Sequence, residues 1–299
     1  MKNYTYFLIT AFLIPLSILA QSKTDTAVHK IVKVPKGFTK QLNVVYTKVG
    51  DWEGKMDIYL PPNTGKPTAL IINIHGGAWR NGYKESQNSF YTYFTAGFAV
   101  ANIEYRSLSQ GTAPAAIEDA RCALIYLIKN AQALHIDVNK IVMMGSNSGG
   151  HLALMVGLLG NNPLFDTNCS GVDNIKVAAI VDKYGIADVW DWAYGKTIQN
   201  GSARKWLGYK AKNKNFALSV SPISYVNKNS PPVFIVHGDA DPVVPYQQSV
   251  DLYQKLLDLE AKAKLMTIKG GGHGKFSDED NSNINIDIIY FILNLEVFK

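Results

Sequence analysis

The sequence predicts an α/β protein: a mostly parallel central sheet with helices on both faces and an antiparallel hairpin at its N-terminal end. Three observations carry this. Leu42–Val49 and Lys55–Leu60 alternate around Gly50-Asp51, as the arms of a hairpin do. Ala69–Ile74 is a continuous β-branched run and Pro232–His237 another, the pattern of strands buried on both faces. Between the later strand candidates lie helix-period segments, so strands and helices alternate.

Taken in order, residues 1–20 read as an export signal: Lys2 supplies charge, Phe7–Leu19 is apolar, and Ala20 is a small residue before Gln21. This apolar run contains Pro15 and is shorter than the ~20 residues a membrane span needs, so no stable anchor is expected once the signal is removed. The mature chain is expected to be periplasmic or secreted. Residues 21–40 are polar and irregular, a loose arm, and 41–299 read as one domain. Pro61-Pro62-Asn63 ends the hairpin, and Ala69–Ile74 leads into His75-Gly76-Gly77-Ala78-Trp79. A helix is expected over Glu85–Ala96, a strand over Ala99–Glu104, and a helix from Pro114 to about Ala133. A strand begins at Lys140 and passes directly into a helix ending near Leu159. Val177–Tyr184 is the next strand. Over about 185–217 the periodicity breaks down into a tryptophan-rich insertion. Helix Tyr246–Glu260, strand Lys264–Ile268 and helix Asn283–Leu295 close the chain.

The net charge of +6 loses one unit with Lys2, and the remaining basic residues are scattered. Without an arginine stripe or a nucleic-acid motif, this charge serves solubility and excludes a nucleic-acid surface. No motif calls for a metal or an organic cofactor, and nothing in the sequence sets an oligomeric state.

The chemistry is concentrated where the strand from Lys140 meets its helix, Val142-Met-Met-Gly-Ser-Asn-Ser-Gly-Gly-His-Leu-Ala-Leu154. Strand, sharp glycine-flanked turn and helix form the grammar of a nucleophile elbow, G-x-S-x-G. The central position is Asn147, with Ser146 and Ser148 on either side. Asparagine tolerates the positive φ of an elbow, so the turn is expected to survive. An amide, however, offers no ionisable nucleophile. Ser146 is expected to point away, because side chains alternate along a strand. Ser148 opens the helix, with its N–H available to an oxyanion.

Two further loops complete a set. His237-Gly-Asp-Ala-Asp241-Pro-Val-Val-Pro245 ends a buried strand and presents an acid, and Gly270-Gly-Gly-His273-Gly274 presents an imidazole. In the segment 75–79 the glycines free backbone N–H groups, from Gly77 and Ala78, to face an oxyanion. The chain order of nucleophile position, acid and histidine is that of α/β-hydrolases. With these motifs, and with Asp57-Ile-Tyr-Leu-Pro, Glu104-Tyr-Arg and Tyr184-Gly, the chain resembles the secreted bacterial branch of the α/β-hydrolase carboxylesterases. The similarity lies toward the hormone-sensitive-lipase and acetylxylan/feruloyl esterase-like types. It implies the α/β-hydrolase fold, a small-molecule or glycan-linked ester as partner, Asp241 orienting His273, and His273 as general base. Asn147 departs from the family's serine, which implies strongly impaired turnover or a non-catalytic ester-binding protein. Asp239 is a rival acid, but the matching motif places the acid immediately before Pro242.

His75, His151 and His237 read as structural hydrogen-bonders. Trp79, beside the oxyanion segment, is the better candidate for the substrate pocket, and Trp190, Trp192 and Trp206 in the insertion are candidates for its wall, the alternative for all four being the core. Cys122 and Cys169 are the only cysteines. In an exported chain they are free to pair, the alternative being two buried thiols. The resemblance, whose members look to carry cysteine at both positions, implies a disulfide, worth about 4 kcal/mol in the chain-entropy model.

Overall fold

The computed structural model describes Met1 and residues 32–169, 171–196 and 200–299. Apart from Met1, the expected signal (1–20) and most of the expected arm (21–40) lie outside the described residues. Eight strands form one sheet in the order β1-β2-β4-β3-β5-β6-β7-β8. They are β1 (Thr39–Val49), β2 (Trp52–Leu60), β3 (Thr68–Ile74), β4 (Ala99–Ile103), β5 (Ile136–Ser146), β6 (Ala179–Lys183), β7 (Val233–Gly238) and β8 (Ala263–Ile268). β1 and β2 form the antiparallel hairpin and β2 meets β4 antiparallel, while every pairing from β4 to β8 is parallel. This is the architecture the sequence predicts.

The helices are α1 (Tyr91–Thr95), α2 (Ala115–Lys129), α3 (Ser148–Leu159), α4 (Val189–Tyr194), α5 (Gly201–Leu207), α6 (Lys214–Ser219), α7 (Gln247–Asp258) and α8 (Asp278–Leu293). Every residue of α3 is buried. It is apolar all round, because it lies between the sheet and neighbouring helices. One hydrophobic cluster, on the face of α2 and α3, includes Ile72, Ile74, Leu152 and Met155. The other, on the face of α1 and α8, includes Ile71, Phe94, Val142 and Ile288.

Two expected helices differ. Instead of one helix over 85–96 there is a single 3-10 turn at Lys84–Ser86, then α1. Polar contacts hold the intervening chain out of a helix. Lys84 is buried in ion pairs with Asp57 (3.1 Å) and Glu85. Gln87 is bonded through its side chain to Asn73 and Ser146. The last helix begins five residues earlier than expected, because Ser277 and Asp280 form a capping box. The insertion, without clear periodicity in sequence, folds as α4, α5 and α6.

Candidate active site

The elbow forms as its sequence demands. Asn147 has φ 53° and ψ −121°, between the end of β5 and the start of α3. A Cβ at Gly145 would collide with the backbone of Gly149, and one at Gly149 with the carbonyls of Ile74 and His75. Glycine is therefore required at both flanks, because strand, helix and the neighbouring loop approach backbone to backbone. In that loop, Gly77 (φ 130°), Ala78 (φ 54°) and Trp79 (φ 57°) turn the chain so that successive N–H groups face the elbow.

Those N–H groups meet the Asn147 side chain. Ala78 N–H donates to Asn147 Oδ1 at 2.9 Å and Gly77 N–H at 3.3 Å. Only oxygen accepts from an amide N–H, so the orientation of the side chain follows from its partners. Its Nδ2 then faces His273 Nε2 at 2.9 Å. Because Nδ2 is a donor, His273 Nε2 is the acceptor and its ring proton sits on Nδ1. That nitrogen donates to Asp241 Oδ2 at 2.6 Å. An unbroken relay thus runs from the backbone N–H donors, through an amide and an imidazole, to a carboxylate.

Asp241 is held from several sides. Its Oδ2 also lies 3.1 Å from His237 Nε2, and its Oδ1 accepts from the N–H groups of Val243 (2.7 Å) and Val244 (3.0 Å). Burial pushes its carboxyl up, but the hydrogen bonds from His237, His273 and Val243 outweigh that and hold it well below the usual carboxylate range. His237 is anchored in turn by Ser249, 2.7 Å from its Nδ1. Asp239, the rival acid, does not face the imidazole. It accepts from Gly270 N–H at 2.6 Å and pairs with Lys269, fixing the base of the loop that carries His273.

The two serines are engaged elsewhere. Ser146 Oγ accepts from Gln87 Nε2 at 2.7 Å, on the side of a cavity of about 510 Å³ that Lys183 and Tyr184 also line. Burial brings Lys183 down to about 8. Ser148 is fully buried at the first position of α3, with Oγ 3.0 Å from the Tyr105 hydroxyl. Burial lowers His75 and His151 to about 4, so both are neutral imidazoles in the core. His151 bonds the carbonyl of Val220 and accepts from the Trp79 indole.

The tryptophans require a correction. Trp79, Trp192 and Trp206 are buried to within 1% of complete and present no accessible wall to a ligand. Trp79 and Trp206 stack at 4.1 Å between ring centroids, and Trp192 packs against Trp79 at 5.7 Å. Trp192 Nε1 donates to the carbonyl of Val243, two residues beyond Asp241. The cluster ties the oxyanion loop, the insertion and the acid loop together, as burial of three large aromatics favours. Trp190 is half-buried against Tyr194. Cys122 and Cys169 are joined as a disulfide, with Cα atoms 5.4 Å apart. Among the described residues no group of His, Cys, Asp and Glu side chains is arranged to hold a metal, and no helix is long and apolar enough to cross a membrane.

Of the contacting residues, sequence reasoning missed Gln87, Tyr105 and the bond from His237 to the acid. Only the proximity of His237 to Asp241, four residues apart on a strand end, hinted at the last.

The family model described as BD-FAE matches residues 56–256, two-thirds of the chain and all of the site but His273. The chain belongs to the BD-FAE family. Its relatives include esterase LipC of Mycobacterium tuberculosis, 27% identical over 70% of this chain and 53% of that protein. Another is the isoprenylcysteine alpha-carbonyl methylesterase ICME of Arabidopsis thaliana, 26% identical over 79% and 57%. The chain thus spans little more than half the length of these relatives. Among solved structures, a truncated carbohydrate esterase from gut microbiota superposes with a TM-score of 0.75 at 29% identity, covering 85% of this chain and 96% of that one. An esterase of Thermogutta terrifontis, at 22% identity and a TM-score of 0.71, shares the fold. BD-FAE membership and these neighbours place the chain among the α/β-hydrolase carboxylesterases.

Proposed function

We propose that the protein is an exported carboxylic-ester hydrolase scaffold whose turnover is strongly impaired because Asn147 occupies the nucleophile position. Its ligand is a small-molecule or glycan-linked ester, the class suggested by its esterase relatives and the carbohydrate esterase neighbour. One observation carries the reading: the Asn147 side chain lies between the Gly77 and Ala78 N–H groups and the accepting nitrogen of His273. A serine hydroxyl there would lose its proton to His273 Nε2 as it attacked the ester carbonyl. The Gly77 and Ala78 N–H groups, with that of Ser148, would receive the developing oxyanion, and Asp241 would hold the imidazolium. Asparagine has no such proton to give, and its own carbonyl takes up the donors that an ester oxygen needs. Loss of the serine from a triad of this kind costs on the order of 10⁶ in turnover, about 8 kcal/mol of barrier.

The alternative is a pseudoenzyme that binds an ester without cleaving it; the occupied oxyanion donors favour the absence of cleavage. Hydrolysis of short p-nitrophenyl esters by the chain carrying Asn147 separates the readings, since slow turnover supports the first and none supports the second. Asn147→Ser tests the triad they share: it should gain several orders of magnitude and lose the gain when His273→Ala is added. A folded serine variant that cleaves no ester above background would contradict the assignment.

A further inference from the structure

We propose that this site hydrolyses the side-chain amide of its own Asn147, making residue 147 a self-modification site that matures to aspartate. The inference rests on the reading of Asn147, His273 and Asp241 as the reacting constellation. An amide cleaved by such machinery must place its carbonyl oxygen on the oxyanion donors and its nitrogen at the imidazole. Asn147 is held in that pose, with Oδ1 2.9 Å from Ala78 N and 3.3 Å from Gly77 N, and Nδ2 2.9 Å from His273 Nε2. A free substrate must be captured and oriented, whereas this amide is tethered and aligned, an advantage that intramolecular reactions convert into rate. The His273 side chain is 19% exposed, so solvent reaches the imidazole beside the amide.

The step balances with water as the only co-reactant. The Nδ2–H bond to His273 Nε2 opens to admit a water, which gives a proton to that nitrogen while its oxygen bonds to Cγ of Asn147 and the carbonyl π pair moves onto Oδ1. That oxyanion sits on the Gly77 and Ala78 N–H groups, and ionised Asp241 holds the imidazolium. As the carbonyl re-forms, the Cγ–Nδ2 bond breaks, and the nitrogen takes the proton from His273 and leaves as ammonia. Amide plus water gives carboxylic acid plus ammonia, with nothing oxidised or reduced.

Spontaneous deamidation follows another route, in which the next residue's backbone nitrogen attacks the side chain to give a cyclic imide that opens largely to isoaspartate. At 147 that nitrogen belongs to Ser148, buried at the start of α3, whose neighbour Gly149 is pressed against the Ile74 carbonyl. Imide formation would require this packed backbone to move. Asn200-Gly201, at the start of α5, lies outside the site and serves as an internal clock for the spontaneous route.

The test is peptide mass spectrometry of the full chain, incubated at neutral pH in ¹⁸O-labelled water, with α- and isoaspartyl products resolved. The expected result is conversion of Asn147 to α-aspartate carrying one ¹⁸O, at least tenfold faster than in folded His273→Ala, with Asn200 converting equally in both. An amide at 147 that persists as long as it does in His273→Ala overturns the inference. So does a product that is mainly isoaspartate, an outcome read on the wild-type chain alone. Asn147→Ser, assayed for ester hydrolysis in parallel, keeps the two claims apart. An active serine variant beside an intact Asn147 removes only this inference, and an inert one beside a converted Asn147 removes only the ester-hydrolase reading.

Discussion

Two halves of one site meet at His273 Nε2, and they are built differently. On the acid side, Asp241 is fixed by two imidazoles and two backbone N–H groups, and His237 behind it is fixed by Ser249. On the elbow side, the backbone is equally constrained, but it presents a carboxamide where acyl transfer needs a hydroxyl. On the proposed reading, a carboxylate with this many donors is organised to stabilise an imidazolium. On that same reading, the geometry of catalysis and the capacity for it would reside in separable residues, with one side chain setting the second without disturbing the first.

The largest expected effect sharpens that comparison. Asn147→Ser should raise ester turnover by up to ~10⁶-fold, read with p-nitrophenyl acetate. It should also lower stability by ~1 kcal/mol, since serine accepts positive φ less readily, which thermal unfolding would show as a small drop in Tm. Next comes the acid half. In the serine background, Asp241→Asn should cut turnover about 10⁴-fold by favouring the wrong imidazole tautomer. An equal rate in both would mean that the acid side is structural only.

A third comparison sets the buried tryptophans against the half-buried one. Trp206→Ala should cost ~3–5 kcal/mol in denaturant unfolding, because it opens a large cavity beside Trp79. Trp190→Ala should cost clearly less. If Trp190→Ala were the more damaging of the two, the division between core and surface aromatics would be wrong.

The smallest effect concerns Asp182 on β6, beneath the elbow. Burial raises its carboxyl to about 7, and its Oδ2 finds no partner among the described residues. Folding therefore favours the protonated form. Stability from this group is greatest below the unfolded carboxyl's ordinary value near 4, and falls as pH rises toward 7. Asp182→Asn should thus leave melting unchanged at pH 4 and stabilise at pH 8 by ~2 kcal/mol, within a linkage ceiling of ~4 kcal/mol. Equal differences at both pH values would remove the ionisation argument.

Much of this was legible in sequence because it depends on local grammar. The elbow announced itself through glycines that backbone contact requires, and Asp241 and His273 through loops after buried strands. The parallel sheet was visible in its continuous apolar runs. What was hidden depends on contacts across the sheet. Nothing in the spacing of Trp79, Trp192 and Trp206 says that they stack on one another rather than on a ligand. Gln87 sits in a stretch with helical composition, yet its bonds to Asn73 and Ser146 keep it out of a helix. His237 looked like a strand-end histidine, and only the fold shows it sharing the acid.

The central claim is that residue 147, and neither neighbouring serine, is the position from which a nucleophile meets His273. Labelling with a fluorophosphonate, followed by peptide mapping, tests it most directly on the chain as written and on Asn147→Ser. The expected result is no adduct on the former and a single adduct at residue 147 on the latter, abolished by His273→Ala. An adduct on Ser146 or Ser148 of the unmodified chain would contradict it.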